Sequence, residues 1–394
     1  MRWDDVMETG QAMPSSHERA EGEQSGFDAI LSQYFPLPPA GPAWRLAIGA
    51  SGMNNTTRYV ERGGNRYVLR IYETHRDEDK VAYEHHVLDC LTKAPIAGLP
   101  TPSPVTAMNG ATVVHTPDGK LAALFHHREG RNPVLKTAAD FHGFGWATGA
   151  LSLAMSKLAP EHAPLYRPYY ELCLPTPEQQ RRTLFAPLHA TDAIVVDMQE
   201  ALHAAEAGMA RIHRKVPLLQ SLPHQLIHGD LNASNVLADE NNRIVALLDF
   251  EFVAWDLRVM ELAVCLSEAA EAAKDAANDA VTDAATDAAA DAATDAAVDA
   301  ATDAPPDTAA KACIRALVSG FIEQVPLTRE ELVVLPDLLL LRRLDVFIHF
   351  LNRWQNGVDS PQNVRRFLGE VLSQTQWLIK NRDWMCTLGS CSSN

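Results

Sequence analysis

The sequence predicts a two-lobed α+β fold, with a small mixed lobe carrying an antiparallel sheet over residues 27–125 and a larger, mainly helical lobe over residues 126–380. Three observations predict it. Short runs of β-branched and aromatic residues lie in the first part of the chain at 44–49, 57–61 and 66–72, followed by one helical pattern at 77–93. Helical patterns close the chain at 314–325, 330–352 and 364–377. Between them, residues 227–250 (IHGDLNASNVLADENNRIVALLDF) join a polar loop to an apolar hairpin that ends at Asp249.

A chain of 394 residues is long enough for two lobes with a substantial core, or for two to three small domains, and 46% hydrophobic residues fits a soluble globular protein. No apolar run reaches the ~18 residues of a membrane helix, so no membrane partner is expected. Residues 1–26 are polar, acidic and rich in Gln, Glu and Ser, which predicts a disordered tail and neither a signal nor a transit peptide. Residues 381–394 form a loose C-terminal tail. The six cysteines have no metal-type spacing and read as free thiols of a cytoplasmic protein. A net charge of −16 argues against nucleic acid as a partner. Much of that charge is local: eleven acidic residues against two lysines between Glu268 and Lys311 leave only −7 for the rest of the chain.

The loop His228-Gly229-Asp230-Leu231-Asn232-Ala233-Ser234-Asn235 separates Asp230 from Asn235 by four residues, the spacing of a kinase catalytic loop. In such a loop the Asp accepts the proton of a substrate hydroxyl and the Asn ligates Mg²⁺. A turn at 239–242 makes a hairpin of Val236-Leu237 and 244–248, which brings Asp249 back beside the loop. Oxygen ligands on one tight unit suit a hard octahedral cation that keeps part of its water shell. Singly, His228 and Asp230 would only cap a turn and Asp249 would only end a strand. Jointly they point to phosphoryl transfer or a relic of it.

LIHGDLNASNVL, ALLDFEF and MELAVCL together resemble the aminoglycoside phosphotransferase-like small-molecule kinases, with the homoserine kinase type II and choline kinase branches nearest. With GMNNTTRYVER near the N-terminus, the resemblance runs from about Phe27 to about Leu378. It implies a bilobal protein kinase-like fold, the cofactors ATP and Mg²⁺, and transfer of the γ-phosphoryl to a hydroxyl of a small molecule. It implies Asp230 as base, His228 as a brace of the loop, and Asn235 and Asp249 as metal ligands. Glu251 is either a further metal-shell carboxylate or a hydrogen-bond partner of the loop. An amino-alcohol of homoserine type is the preferred acceptor by resemblance, with choline, ethanolamine, a sugar or an aminoglycoside open. The residues specify no oligomeric state.

Taken in order, 27–34 reads as a short leading helix ended by Pro36, Pro38 and Pro39. The turn at 50–55 is poor in glycine and alone would be a plain hairpin. By resemblance, Ser51, Gly52, Asn54 and Asn55 cradle the ATP phosphates. Strand 66–72 sets Tyr67, Leu69 and Ile71 on one face and Val68, Arg70 and Tyr72 on the other. Arg70 stands where the family commonly has a phosphate-binding Lys, and a guanidinium is a bidentate phosphate ligand. The alternative is a surface Arg on an edge strand. Glu84, on helix 77–93, is expected to pair with Arg70, the alternative being a solvated glutamate. Strands at 111–115 and 120–125 lead to a hinge at 124–130, whose backbone at Phe125 and His126 is expected to bond the adenine edge. His126 and His127 make no metal site, because adjacent strand residues face opposite ways.

A helix is expected over 138–158, then an aromatic stretch in which Tyr166, Tyr169 and Tyr170 either line a substrate pocket or pack helices together. A second long helix is expected over 191–215. Asp256 and Glu261 are placed at the start of an apolar helix, with Glu261 where the family usually has Asp. Residues 268–311 form a low-complexity insertion in which Asp recurs every fourth residue from Asp275 to Asp307. Like charges at i,i+4 oppose helix, and successive members drift ~40° around a helix, so no cation cage forms. Arg342, Arg343, Asp345, His349 and Arg353 lie on or just after the middle closing helix as candidates for the substrate side. Two rival functions stand beside the small-molecule kinase. A nucleotide-binding pseudokinase is permitted by Arg70 and the thin glycine content, and opposed by Asp230, Asn235 and Asp249. A protein kinase is opposed by the lack of an APE-like segment after Asp249.

Overall fold

The computed structural model describes residues 26–37, 44–48, 55–73, 77–96, 98–158, 165–189, 197–270, 272–273 and 306–388. The expected N-terminal tail, the turn residues Ser51, Gly52 and Asn54, and nearly all of the Asp/Ala repeat lie outside the described residues. In chain order the elements are α1 (26–31), β1 (Arg45–Ile48), β2 (Asn55–Arg62), β3 (Asn65–Tyr72), α2 (Glu78–Lys93), β4 (Val113–His115), β5 (Leu121–His126) and α3 (Ala138–Met155). They continue with α4 (Gln199–His213), α5 (Val216–Ser221), β6 (His224–Ile227), β7 (Val236–Ala238), β8 (Ile244–Leu247) and β9 (Ala254–Leu257). The chain closes with α6 (258–270), α7 (Pro306–Gln324), α8 (Arg329–Gln355) and α9 (Pro361–Met385).

The chain divides into two compact units. The first holds the described residues of Met1–Pro133, Glu161–Leu165 and Ser234–Phe252. Its five strands pair antiparallel in the order β1-β2-β3-β5-β4. The alternation of β3 sends Leu69, with Tyr67 and Ile71 beside it, into a core closed by Ile30, Leu31 and Tyr34 of the leading segment and Trp44. Asp28 anchors that segment, accepting the Trp44 indole N–H at 2.8 Å. The β7–β8 hairpin joins this unit through backbone bonds. Arg131 and Ala238 exchange N–H···O bonds of 3.0 and 2.7 Å, and Leu247 N–H donates to Pro100 O at 3.1 Å. Gly130 has φ +146°, and a Cβ there would meet Leu237 Cβ at 2.8 Å, so the hairpin needs a glycine at that approach.

The second unit is Val134–Pro160, Tyr166–Ala233 and Val253–Asn394. Its tightest helix pair is α3 against α7. A Cβ on Gly145 would fall 1.9 Å from Leu317 O, one on Gly149 2.7 Å from Phe321 O, and one on Gly320 2.2 Å from His142 O. Only glycine lets these backbones touch. α3 starts on a reciprocal Thr137–Asp140 capping box and α8 on a Thr328–Glu331 one. Several elements differ from expectation. Among the described residues the helix expected over 191–215 begins only at Gln199 and gives way to α5, which carries a proline in its first turn. Helical turns over 177–189 and the short pair β6–β9 were not foreseen. Asp256 lies within β9, not at a helix start.

Candidate active site

In the first unit the strand-to-helix geometry brings Arg70 of β3 to Glu84 of α2, with Nη1 3.3 Å from Oε1. The same Nη1 lies 3.0 Å from Asp249 Oδ1. The Tyr72 hydroxyl donates to the other Glu84 oxygen at 3.2 Å, and the guanidinium lies 5.6 Å from the Phe125 ring centroid. Burial pushes the Glu84 carboxyl up to about 7, against the pull of the guanidinium. For Arg70 burial opposes the charge, but Asp249 and Glu84 outweigh it and raise the group above its usual range.

Asp249 follows β8 with φ +62°, a left-handed conformation that Asp tolerates better than most residues. One residue earlier, Leu248 N–H donates to Asn235 O at 2.8 Å, so the hairpin sets Asp249 next to Asn235 in the backbone. Asn132 clamps the loop end, its Nδ2 donating to Ser234 O and Val236 O at 2.9 and 3.2 Å.

Asn55, the first residue of β2, donates from Nδ2 to Glu251 Oε2 at 2.9 Å. Of the two roles open to Glu251, this bond is the hydrogen-bonding one, and it is made to Asn55 by a buried carboxylate. The hinge expectation meets a constraint at His126. Its amide N–H is already given to Ser103 O and that of His127 to Arg66 O, both at 3.0 Å, so β-pairing consumes the donors expected for a nucleotide base. Phe125 is buried in β5, while the His126 side chain is exposed.

In the second unit β6 delivers the chain to the polar loop. The buried His228 is held at both ends: its N–H donates to Glu261 Oε2 at 2.5 Å, and its Nδ1 accepts the Asp230 N–H at 3.3 Å. Glu261 on α6 therefore braces the loop as the family's Asp was expected to. Burial pushes its carboxyl up to about 8, against the His228 and Gly229 amides that pull it down. Tyr169 O–H donates to Gly229 O at 2.5 Å, and its own N–H goes to Asp256 Oδ2 at 2.6 Å. Burial pushes Asp256 up to about 7.

Asp230 Oδ1 receives Nη2 of Arg342 at 2.5 Å. The other arm of that guanidinium, Nη1, reaches Tyr169 Oη at 3.1 Å and Asp345 Oδ2 at 3.4 Å. Thus α8 sorts its candidates. Arg342 and Asp345 join the loop, Arg343 ties Ser267 O to Glu370, and Arg353 pairs with Asp359. Sequence reasoning placed Tyr169 and Arg342 only among larger sets. The signal that separates them, closeness to Gly229 and Asp230, is tertiary.

Two side-chain oxygens of the first unit are left open toward a cation. Asn55 Oδ1 and Asp249 Oδ1 are buried and accept no hydrogen bond; the Asp249 contact with Arg70 lacks hydrogen-bond alignment. Among the described residues no three His, Cys, Asp or Glu side chains converge on a metal position.

Comparison with known proteins agrees with this geometry. A protein of Polaromonas naphthalenivorans (strain CJ2) named homoserine kinase is 26% identical over 240 residues, 58% of this chain and 66% of that protein. One of Gluconacetobacter diazotrophicus with the same name is 27% identical over 241 residues, 61% of this chain and 70% of that one. The chain thus spans about two thirds of the length of these relatives. A microcompartment-associated aminopropanol kinase superposes with a TM-score of 0.62 at 18% identity, covering 93% of this chain and 98% of that one. The amicoumacin kinase hAmiN, solved with AMP-PNP, Ca²⁺ and Ami, gives 0.60 at 14%, covering 91% and 96%. The fold is therefore protein kinase-like, a five-stranded antiparallel lobe and a mainly helical one. No helix of the described residues is long and apolar enough to cross a membrane. Residues 46–300 match the model of the phosphotransferase enzyme family, to which this chain belongs.

Proposed function

We propose that the protein is an ATP- and Mg²⁺-dependent small-molecule kinase that moves the γ-phosphoryl of ATP to the hydroxyl of a homoserine-type amino-alcohol. The observation that carries this reading is the loop held by Glu261, Tyr169 and Arg342. It holds Asp230, which four residues separate in sequence from Asn235 and from the hairpin that ends at Asp249. Relatives named homoserine kinase supply the acceptor type.

Asp230 accepts the proton of the acceptor hydroxyl while that oxygen bonds to the γ-phosphorus and the bond to the β,γ-bridging oxygen breaks, releasing ADP. Asn235 and Asp249 would hold Mg²⁺, which neutralises the phosphate charge. Arg70, fixed by Glu84, binds phosphate oxygens. His228, buried and neutral in its contact to the Asp230 amide, keeps the loop in shape.

Mg-ATP turnover against L-homoserine, choline, ethanolamine, methylthioribose and kanamycin tests the reading. One acceptor is expected to stimulate ADP release, and Asp230→Asn is expected to lower kcat by about 10³-fold while ATP still binds. Unchanged turnover in Asp230→Asn removes Asp230 as base. ATP binding with no acceptor-stimulated ADP release favours the nucleotide-binding pseudokinase, a reading with which the guanidinium seated on Asp230 is compatible.

A further inference from the structure

We infer that Arg342 and Asp345 recognise the α-amino acid end of the acceptor, the guanidinium taking its carboxylate and Asp345 its ammonium; this inference rests on the kinase reading of the same loop. Four observations carry it. First, the two residues stand three apart on α8, with Nη1 and Oδ2 3.4 Å apart. A carboxylate and an ammonium on one carbon match a cation and an anion set that close together. Second, the Arg342 side chain is only 11% exposed, and its Nε is enclosed with no hydrogen-bond partner among the described residues. A purely structural arginine at such depth satisfies its donors, because an unmet buried N–H is costly. A planar guanidinium fork is of the kind that takes a carboxylate through two donors.

Third, Asp345 is bonded only by that long Nη1 contact among the described partners, and its side chain remains 37% exposed, open to an incoming ligand. Fourth, the other arm of the guanidinium touches Asp230 at 2.5 Å. An acceptor whose charged end sits on Arg342 therefore carries a hydroxyl two methylenes away to the carboxylate that takes its proton. Tyr169 keeps this geometry, since its hydroxyl accepts from Nη1 and donates to Gly229 O. Arg342 and Asp345 are thus specificity residues. An acceptor with an amine and no carboxylate leaves the guanidinium unmet.

The test uses the full chain with Mg-ATP and three acceptors: L-homoserine, 3-amino-1-propanol, which is homoserine without its carboxylate, and 4-hydroxybutyrate, which lacks its ammonium. Wild type is expected to favour L-homoserine over each analogue by about 100-fold or more in kcat/KM. Arg342→Gln is expected to lose about 100-fold on L-homoserine, chiefly in KM, and at least about tenfold less than that on 3-amino-1-propanol. Asp345→Asn is expected to lose on L-homoserine and to spare 4-hydroxybutyrate.

An equal loss of L-homoserine and 3-amino-1-propanol in Arg342→Gln overturns the inference, because Arg342 then acts only through Asp230. A wild type that prefers 3-amino-1-propanol overturns it as well, while the kinase reading stands. If wild type phosphorylates none of the three, the proposed reaction itself fails and takes the inference with it. Should Arg342→Gln not fold, the wild-type ratios and Arg342→Lys decide the same question.

Discussion

Arg70 in the first unit and Arg342 in the second are both largely enclosed among carboxylates, and the two are held differently. Arg70 joins Glu84 and Asp249 through a single nitrogen, Nη1, at 3.3 and 3.0 Å, from a strand to a helix and a hairpin end. Arg342 spreads its nitrogens over Asp230, Tyr169 and Asp345, with Nε idle. On the proposed reading, the first arrangement gathers negative charge around a guanidinium that meets phosphate, and the second shares a guanidinium between the base and the acceptor's carboxylate. Residues of the same chemistry then take different tasks from how their donors are distributed.

The largest separation expected between the two is in ligand preference. Arg70→Met is expected to weaken ATP binding by about 100-fold, measured by titration calorimetry, and to leave the acceptor KM within about threefold. Arg342→Gln is expected to do the reverse. Parallel losses in both variants would break the contrast.

A smaller effect separates the carboxylates behind them. Glu261, with an ordinary value of 4.5, is pushed up to about 8, and Glu84 to about 7. Between those limits the folded chain keeps protons that the unfolded chain has released, so these groups lower stability as pH rises from about 4.5 to about 8. The urea midpoint of wild type is expected to fall over that range. Glu261→Gln, whose amide oxygen can still accept the His228 N–H, is expected to flatten the fall more than Glu84→Gln does. An unchanged slope in Glu261→Gln would remove burial as the cause.

The smallest effect concerns Tyr169. Tyr169→Phe removes the bond to Gly229 O and one rest for Arg342, and is expected to cost about 1 kcal/mol of stability and up to about tenfold in kcat, with ATP affinity unchanged.

The contrast also explains what was legible in the sequence. The Arg70–Glu84 pair was read in advance because an alternating strand and the helix after it have fixed periods, so each side chain's direction follows from its number. Asp230, Asn235 and Asp249 were read because they lie within one loop and hairpin. Arg342 was one of five candidates named on or just after a long helix, and its partner Asp230 is 112 residues away. No local period selects it. Glu251 and His126 show what the sequence does not display: a residue next to a functional motif has a backbone and side chain of its own to satisfy. In both cases pairing within the sheet region claimed the group first. The strands β6 and β9 escaped notice because four residues are too few to show alternation.

The hairpin that completes the first unit has a consequence for synthesis of the chain. Residues up to Pro133 build the five-stranded sheet, yet the amide and carbonyl groups of Arg131 and the carbonyl of Pro100 find their partners only in Ala238 and Leu247. On a ribosome adding ~5–20 residues per second, the early sheet waits roughly 5–20 s for that hairpin to emerge. During the wait Gly130 and its neighbours present open backbone. The last part of the small unit to form is the part that carries Asn235 and Asp249, so a nascent chain gains its proposed metal ligands only when that hairpin bonds to Arg131 and Pro100 beside the sheet.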